Sequence, residues 1–249
     1  MGGCYCYDGS LAGLLCLYRQ LLTERPVVEQ ISTRLPDQPR LFDAEISVDT
    51  DQAVAEQFWR QLQQRLSPHS RKLVRCCLLA DHPRQELLLY RYLALEAEQG
   101  SRVNGMLAHP AVAPAWKLAQ QVGREAHRYL GFVRFQQVEG GLYFSAIAPD
   151  HRILLMIGEH FSQRFRDQQW LIHDQRHGEG ILYDCTKQEW LLLPMELHVQ
   201  PTATPQEQQF QALWRSYFQT LAIPERENRT LQQGKVPLKV RAWLTEFNG

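Results

Sequence analysis

No stretch of this 249-residue chain approaches eighteen uninterrupted apolar residues, so no transmembrane helix is expected. An excess of either charge is also missing. The 27 Lys and Arg balance 27 Asp and Glu, which removes bulk attraction to nucleic acid or to an anionic membrane and leaves only local patches to supply it. The six cysteines, at positions 4, 6, 16, 76, 77 and 185, contain no Cys-x-x-Cys pair and no regular spacing. That suits reduced thiols rather than a disulfide framework or a zinc site. A Walker loop, Gly-x-Gly-x-x-Gly and Gly-x-Ser-x-Gly are all absent, so nucleotide hydrolysis, dinucleotide redox chemistry and serine hydrolysis have no motif behind them. The start, Met1-Gly2-Gly3-Cys4-Tyr5, has no basic region, and Tyr18, Arg19 and Gln20 break the apolar run that follows. No secretory signal is read there, and Cys6 holds the place where a myristoylation signal needs Ser or Thr. The expected compartment is the cytoplasm.

What is present, 44% hydrophobic and 22% charged residues, is the composition of an ordinary globular protein. Residues 4–7 read as a short strand ended by Asp8-Gly9-Ser10, with Ser10 capping a helix to about Leu22. Leu11, Leu14, Leu15, Tyr18 and Leu22 form its apolar stripe. Strands are expected over 27–33 and 41–48, then helices over 54–66, 73–79, 86–99 and about 115–129, the last stopped by Gly131. Residues 132–138 and 142–148 read as a hairpin across Glu139-Gly140-Gly141, because glycine accepts positive φ. Asp150 is placed to cap a helix through Arg166, with Leu154, Ile157, Phe161 and Phe165 on one buried face. Strands over 169–174 and 179–184 follow, and 190–193 adds another. The fold class expected is α+β, a small, mostly antiparallel sheet with a β-β-α-β-β unit, flanked by helical segments. The chain is read as a strand–helix region with a helical subdomain (1–130), the sheet unit (131–199), and a linker with C-terminal helices packing back on the core (200–249).

Four histidines fall between His151 and His177, yet His151 and His160 are nine residues apart and lie on opposite sides of a helix. With no His-Glu-x-x-His pair, neither a metal nor any other cofactor is read. Cys4 and Cys6 share one strand face and read as small packing residues, the alternative being half of a thiolate site. Asp150-His151 sits at a strand-to-helix junction. A carboxylate beside an imidazole does acid–base work, and a helix start offers N–H groups to phosphate; a plain helix cap is the alternative. Arg134, on a strand between Phe132 and Phe135, joins Tyr143, Phe144, Trp170 and Tyr183 on neighbouring strands as a base-stacking platform, with Arg164 adding charge. Core aromatics are the plainer reading of the same residues. Arg226, Arg229, Lys235, Lys239 and Arg241 make the tail locally basic.

Several stretches taken together resemble a bacterial family. They are Tyr7-Asp8-Gly9-Ser10, Leu89-Tyr90-Arg91-Tyr92, and Val122-Gly123-Arg124-Glu125-Ala126-His127-Arg128 running into Gly131-Phe132-Val133-Arg134-Phe135. Gly141-Leu142-Tyr143-Phe144, Ala148-Pro149-Asp150-His151, Trp170-Leu171-Ile172-His173-Asp174 and Ile223-Pro224-Glu225-Arg226-Glu227-Asn228 continue the series. The family is a domain of unknown function whose stand-alone members are labelled as proteins of DNA metabolism. Similar domains are fused to uracil-DNA-glycosylase-like domains, and stand-alone members are encoded beside a radical S-adenosylmethionine (radical SAM) protein thought to modify or repair DNA. Gly234-Lys235-Val236-Pro237 departs from the basic, aromatic segment such members carry before the last helix.

The resemblance implies an accessory or DNA-binding partner of a radical SAM DNA modification or repair enzyme, meeting single-stranded or damaged DNA. Arg134, Tyr143, Arg164, Trp170, Arg226 and Arg229 are its candidate nucleic-acid contacts. The first alternative is an enzyme acting on DNA or nucleotides with Asp150 and His151 as its acid–base pair. The second is a protein-interaction scaffold that touches no nucleic acid, which the balanced charge favours.

Overall fold

The computed structural model describes residues 2–33, 45–197, 201–222 and 228–247. The chain forms two compact units, Met1–Gly123 and Arg124–Gly249, and its class is α+β. No helix of the described residues is long and apolar enough to cross a membrane.

The first unit opens with β1 (Gly3–Cys6), α1 (Leu11–Glu24), β2 (Val28–Ser32) and β3 (Glu45–Ser47). β1 lies between the other two strands and parallel to both. Ser10 caps α1 by accepting from the Gly13 amide at 2.9 Å. Asp8 receives the Ser10 amide and hydroxyl on one oxygen and Thr50 on the other. A Cβ on Gly13 would fall 2.2 Å from that carboxylate, so glycine alone fits the junction. Leu14, Leu15 and Tyr18 are buried as the stripe predicts, whereas Leu22 is half-buried, with Leu21 buried in its stead, and Leu11 is exposed. α2 (Gln52–Arg65), α3 (Pro68–Leu78) and α4 (Gln85–Gln99) follow, and Gly100 ends α4 at φ 58°. Cys76 and Cys77 are buried in α3, where burial pushes the Cys77 thiol up to about 12. They pack rather than react.

α5 (Ala113–Phe132) buries Ala115, Leu118, Val122, Ala126 and Tyr129 along one stripe. It runs past Gly131, which was read as a stop. Gly131 is not among the residues with positive φ, and the Arg134 guanidinium donates to its carbonyl at 2.6 Å, satisfying an orphan acceptor of the helix end. Phe132 is therefore helical, and Arg134 lies between α5 and the next strand rather than on a strand.

The second unit is built on a five-stranded sheet ordered β4 (Gln136–Gln137), β5 (Tyr143–Ile147), β6 (Trp170–Asp174), β7 (Glu179–Asp184) and β8 (Glu189–Pro194). Only β5 and β6 are parallel, because α6 (Leu154–Arg164) carries the chain back between them. The turn before β5 is as read, with Gly140 at φ 83° and Gly141 at 79°. Asp150 does not cap α6. That helix starts four residues later behind Ile153 with no side-chain cap, since the Asp150 carboxylate is drawn to Arg176 and Lys239 instead.

Strand register puts Tyr143 opposite Trp170, Trp170 opposite Tyr183 and Tyr183 opposite Trp190, an aromatic row across four strands. α6 comes down on this face through Gly158, where a Cβ would fall 2.4 Å from Ile181. Trp170 and Tyr183 are thus core, stacked at 5.2 Å and 15°. α7 (Pro205–Leu221), α8 (Arg229–Lys235), α9 (Leu238–Arg241) and a 3-10 turn (Thr245–Phe247) complete the unit.

Candidate functional site

The open end of the aromatic row leads into a cavity of about 950 Å³ in the second unit. Its wall is assembled from the C-terminal turns of α5 and α6, the connection through Phe135, the start of β5, and Lys235 at the end of α8. Phe135 is the hub. Its ring stands edge-on to Phe161 at 5.5 Å and to Phe165 at 5.3 Å, and lies 5.9 Å from Trp170. Tyr143 and Phe165, both half-buried, complete the aromatic part. Trp170 lines the cavity with its indole N–H buried and without an acceptor among the described residues.

The polar part of the wall holds Arg128, Arg134, Arg164 and Lys235, with His127 and His160, and no carboxylate among the described residues. Two of the arginines lie over rings, Arg128 at 5.5 Å from the Phe132 centroid and Arg164 at 5.7 Å from Phe165. Arg134 is committed elsewhere: besides the Gly131 carbonyl it binds Glu246 at 2.9 Å. The other Glu246 oxygen accepts from the Trp214 indole at 3.3 Å. Arg134 is thus a fastener between the cavity rim and the C-terminal turn.

Burial pushes the Glu246 carboxyl up, but its backbone hydrogen bond, Arg134 and Trp214 outweigh this and hold it below its ordinary 4.5. A folded-state pKa below the unfolded one gives stability that is present above pH 4.5 and lost as pH falls through the lowered value. Glu246→Gln is expected to be less stable than wild type at neutral pH and to converge with it on acidification. Denaturation midpoints across this range check it, and parallel curves would show that the pair stabilises nothing.

Of the residues read as nucleic-acid contacts, Arg134, Tyr143, Arg164 and Trp170 come together on this wall. Arg229 begins α8 and is exposed away from it, and Arg226 lies outside the described residues. Arg128 and Lys235 were not singled out as contacts. The spacing of Arg128 and Phe132, four apart on a helix, carries the signal for that pair once α5 is extended through Gly131.

Asp150 and His151 form a different environment. Both their amides donate to Glu125, at 2.8 and 2.9 Å, so a carboxylate holds the N–H pair that was read as a phosphate site. The Asp150 carboxylate bonds Arg176 at 3.0 Å and also Lys239. Burial raises its proton affinity, but the Lys239 hydrogen bond and charge, with Arg176 and His151, bring it below the usual carboxylate range. A clamped carboxylate that resists protonation is a weak proton carrier at neutral pH. A better-formed pair lies beyond it in the β6–β7 turn, where His177 Nδ1 meets Asp174 Oδ2 at 2.6 Å with both side chains buried. The Asp-x-x-His spacing across a turn is its only sequence signal. Among the described residues no three His, Cys, Asp or Glu side chains stand together as a metal site.

Fold and site define an α+β protein whose second unit holds a cationic, aromatic-walled cavity. Residues 83–246 match the family described as a domain of unknown function, DUF4130, about two thirds of the chain, and the protein belongs to that family. No curated protein and no solved structure matches the chain. The matched segment includes the whole cavity wall, from His127 to Lys235.

Proposed function

We propose that this is a protein of DNA metabolism that binds unpaired DNA through its second unit and acts as an accessory partner of a radical SAM enzyme that modifies or repairs DNA. The observation that carries the DNA part is the cavity wall. Arg128, Arg164 and Lys235 have no carboxylate partner among the described residues and stand beside Phe135, Tyr143 and Phe165. Cations next to accessible rings suit single strands, whose unstacked bases expose their faces, better than duplex. The partner rests on the family resemblance.

A labelled single-stranded oligonucleotide, followed by anisotropy, tests the reading. Binding is expected to favour the single strand over duplex, and log affinity is expected to fall with log salt by about 0.7 per phosphate contacted. A protein with neither DNA affinity nor association with such an enzyme contradicts the proposal. The acid–base reading of Asp150 and His151 has less support, given the clamp on Asp150.

One observation favours the second reading, a protein-interaction surface. Phe210, Leu213, Trp214, Tyr217, Phe218 and Leu221 follow three- and four-residue spacing along α7, and all are exposed. A radical SAM partner that assembles without DNA, and fails to assemble with the Leu213→Glu variant, supports the scaffold.

A further inference from the structure

We infer that the cavity seats one nucleotide carrying a terminal phosphate monoester, the base against the rings and the phosphate on Arg128, Arg164 and Lys235. The inference deepens the proposed DNA reading and rests on it for the source of that nucleotide, a strand end.

Size comes first. A volume of about 950 Å³ lies at the upper end of the range for sites that enclose one small organic molecule. That is room for one or two nucleotides. Shape comes next. The aromatic part is a corner built from Phe135, Phe165 and Tyr143, not a long exposed ladder, because α6 covers the rest of the aromatic row. Trp170 backs the same wall from the core, fully buried.

Charge decides between an internal and a terminal phosphate. Arg134 is neutralised by Glu246, which leaves three cations without a carboxylate among the described residues. An internal phosphodiester brings one negative charge, whereas a phosphate monoester brings about −1.5 to −2 at neutral pH and three acceptor oxygens. Two of the cations are guanidinium groups already held over rings, which lowers the ordering cost of engaging such a group. Three cations in one wall therefore match the monoester better.

The test uses the full chain and three probes: one single-stranded hexanucleotide with a 5′-phosphate, the same sequence without it, and a free deoxynucleoside monophosphate as competitor. The phosphorylated strand is expected to bind at least tenfold tighter than the unphosphorylated one. Lys235→Ala and Arg164→Ala should each erase most of that difference, and Tyr143→Ala should weaken both strands roughly tenfold. Arg164 and Lys235 are exposed, so a thermal melt of those two variants is expected to match wild type; Tyr143 is half-buried in the aromatic row, so Tyr143→Leu, which keeps the bulk and loses the ring, is the folded comparison for it. Equal binding of the two strands overturns the inference. So does binding that the three variants leave unchanged, and in either case the DNA reading survives. If the free nucleotide binds and the strands do not, the cavity assignment stands and the DNA reading falls. If no probe binds, both fall.

Discussion

Arg164→Glu combined with Lys235→Glu is expected to lower affinity for single-stranded DNA at least a hundredfold while leaving the fold intact. Both side chains are exposed on the cavity wall and neither forms an ion pair among the described residues, so their reversal breaks no ion pair and costs only the contact of Arg164 with the Phe165 ring. A charge-assisted hydrogen bond contributes roughly 1.5–3 kcal/mol, so two of them account for about 3–6 kcal/mol. A hundredfold loss corresponds to about 2.7 kcal/mol, and the repulsion of two new carboxylates adds to it. Anisotropy at fixed salt measures the loss, and a thermal melt confirms the fold. A decrease of less than threefold with the melt unchanged would place the DNA contact elsewhere.

Trp170→Ala is expected to act on the fold instead. The ring is fully buried on the central strand, stacked on Tyr183 and in contact with Phe135 and Phe161. Removing a buried tryptophan costs about 3–5 kcal/mol in lost burial and residual cavity, a large share of the roughly 5–15 kcal/mol that holds a domain together. Hydrogen exchange of the β5, β6 and β7 amides reports this without assuming that both units unfold together. Those amides should exchange far faster in the variant, and Trp170→Phe should recover most of the protection. Unchanged exchange would mean that the aromatic row does not organise the sheet. The pair of experiments separates the two roles that sequence alone left merged, since Trp170 supports the wall and Arg164 faces what enters.

The periodic elements were legible because their signals were local. Ser10 announced α1, the paired glycines announced the turn before β5, and the spacing of Leu154, Ile157 and Phe161 announced the buried face of α6. Junctions were harder. Gly131 carries the residue type of a helix stop, but whether it acts as one depends on Arg134 folding back to the helix end. Asp150 looks like a cap until Lys239, nearly ninety residues later, takes its carboxylate. Four of its lining residues, Arg134, Tyr143, Arg164 and Trp170, could be anticipated from the sequence as aromatic and basic residues of one sheet-and-helix unit. Arg128 becomes legible only once α5 is known to run through Gly131, and Lys235 from α8 is brought in by tertiary packing that no local pattern encodes.

The salt dependence of single-strand binding, compared between wild type and the Arg164→Glu, Lys235→Glu variant, tests most directly whether the cavity is where nucleic acid is held. Each phosphate neutralised contributes about 0.7 to the slope of log affinity against log salt, and both side chains serve the one phosphate seated in the cavity, so its loss should flatten the line by about 0.7. Parallel lines for the two proteins would contradict the assignment.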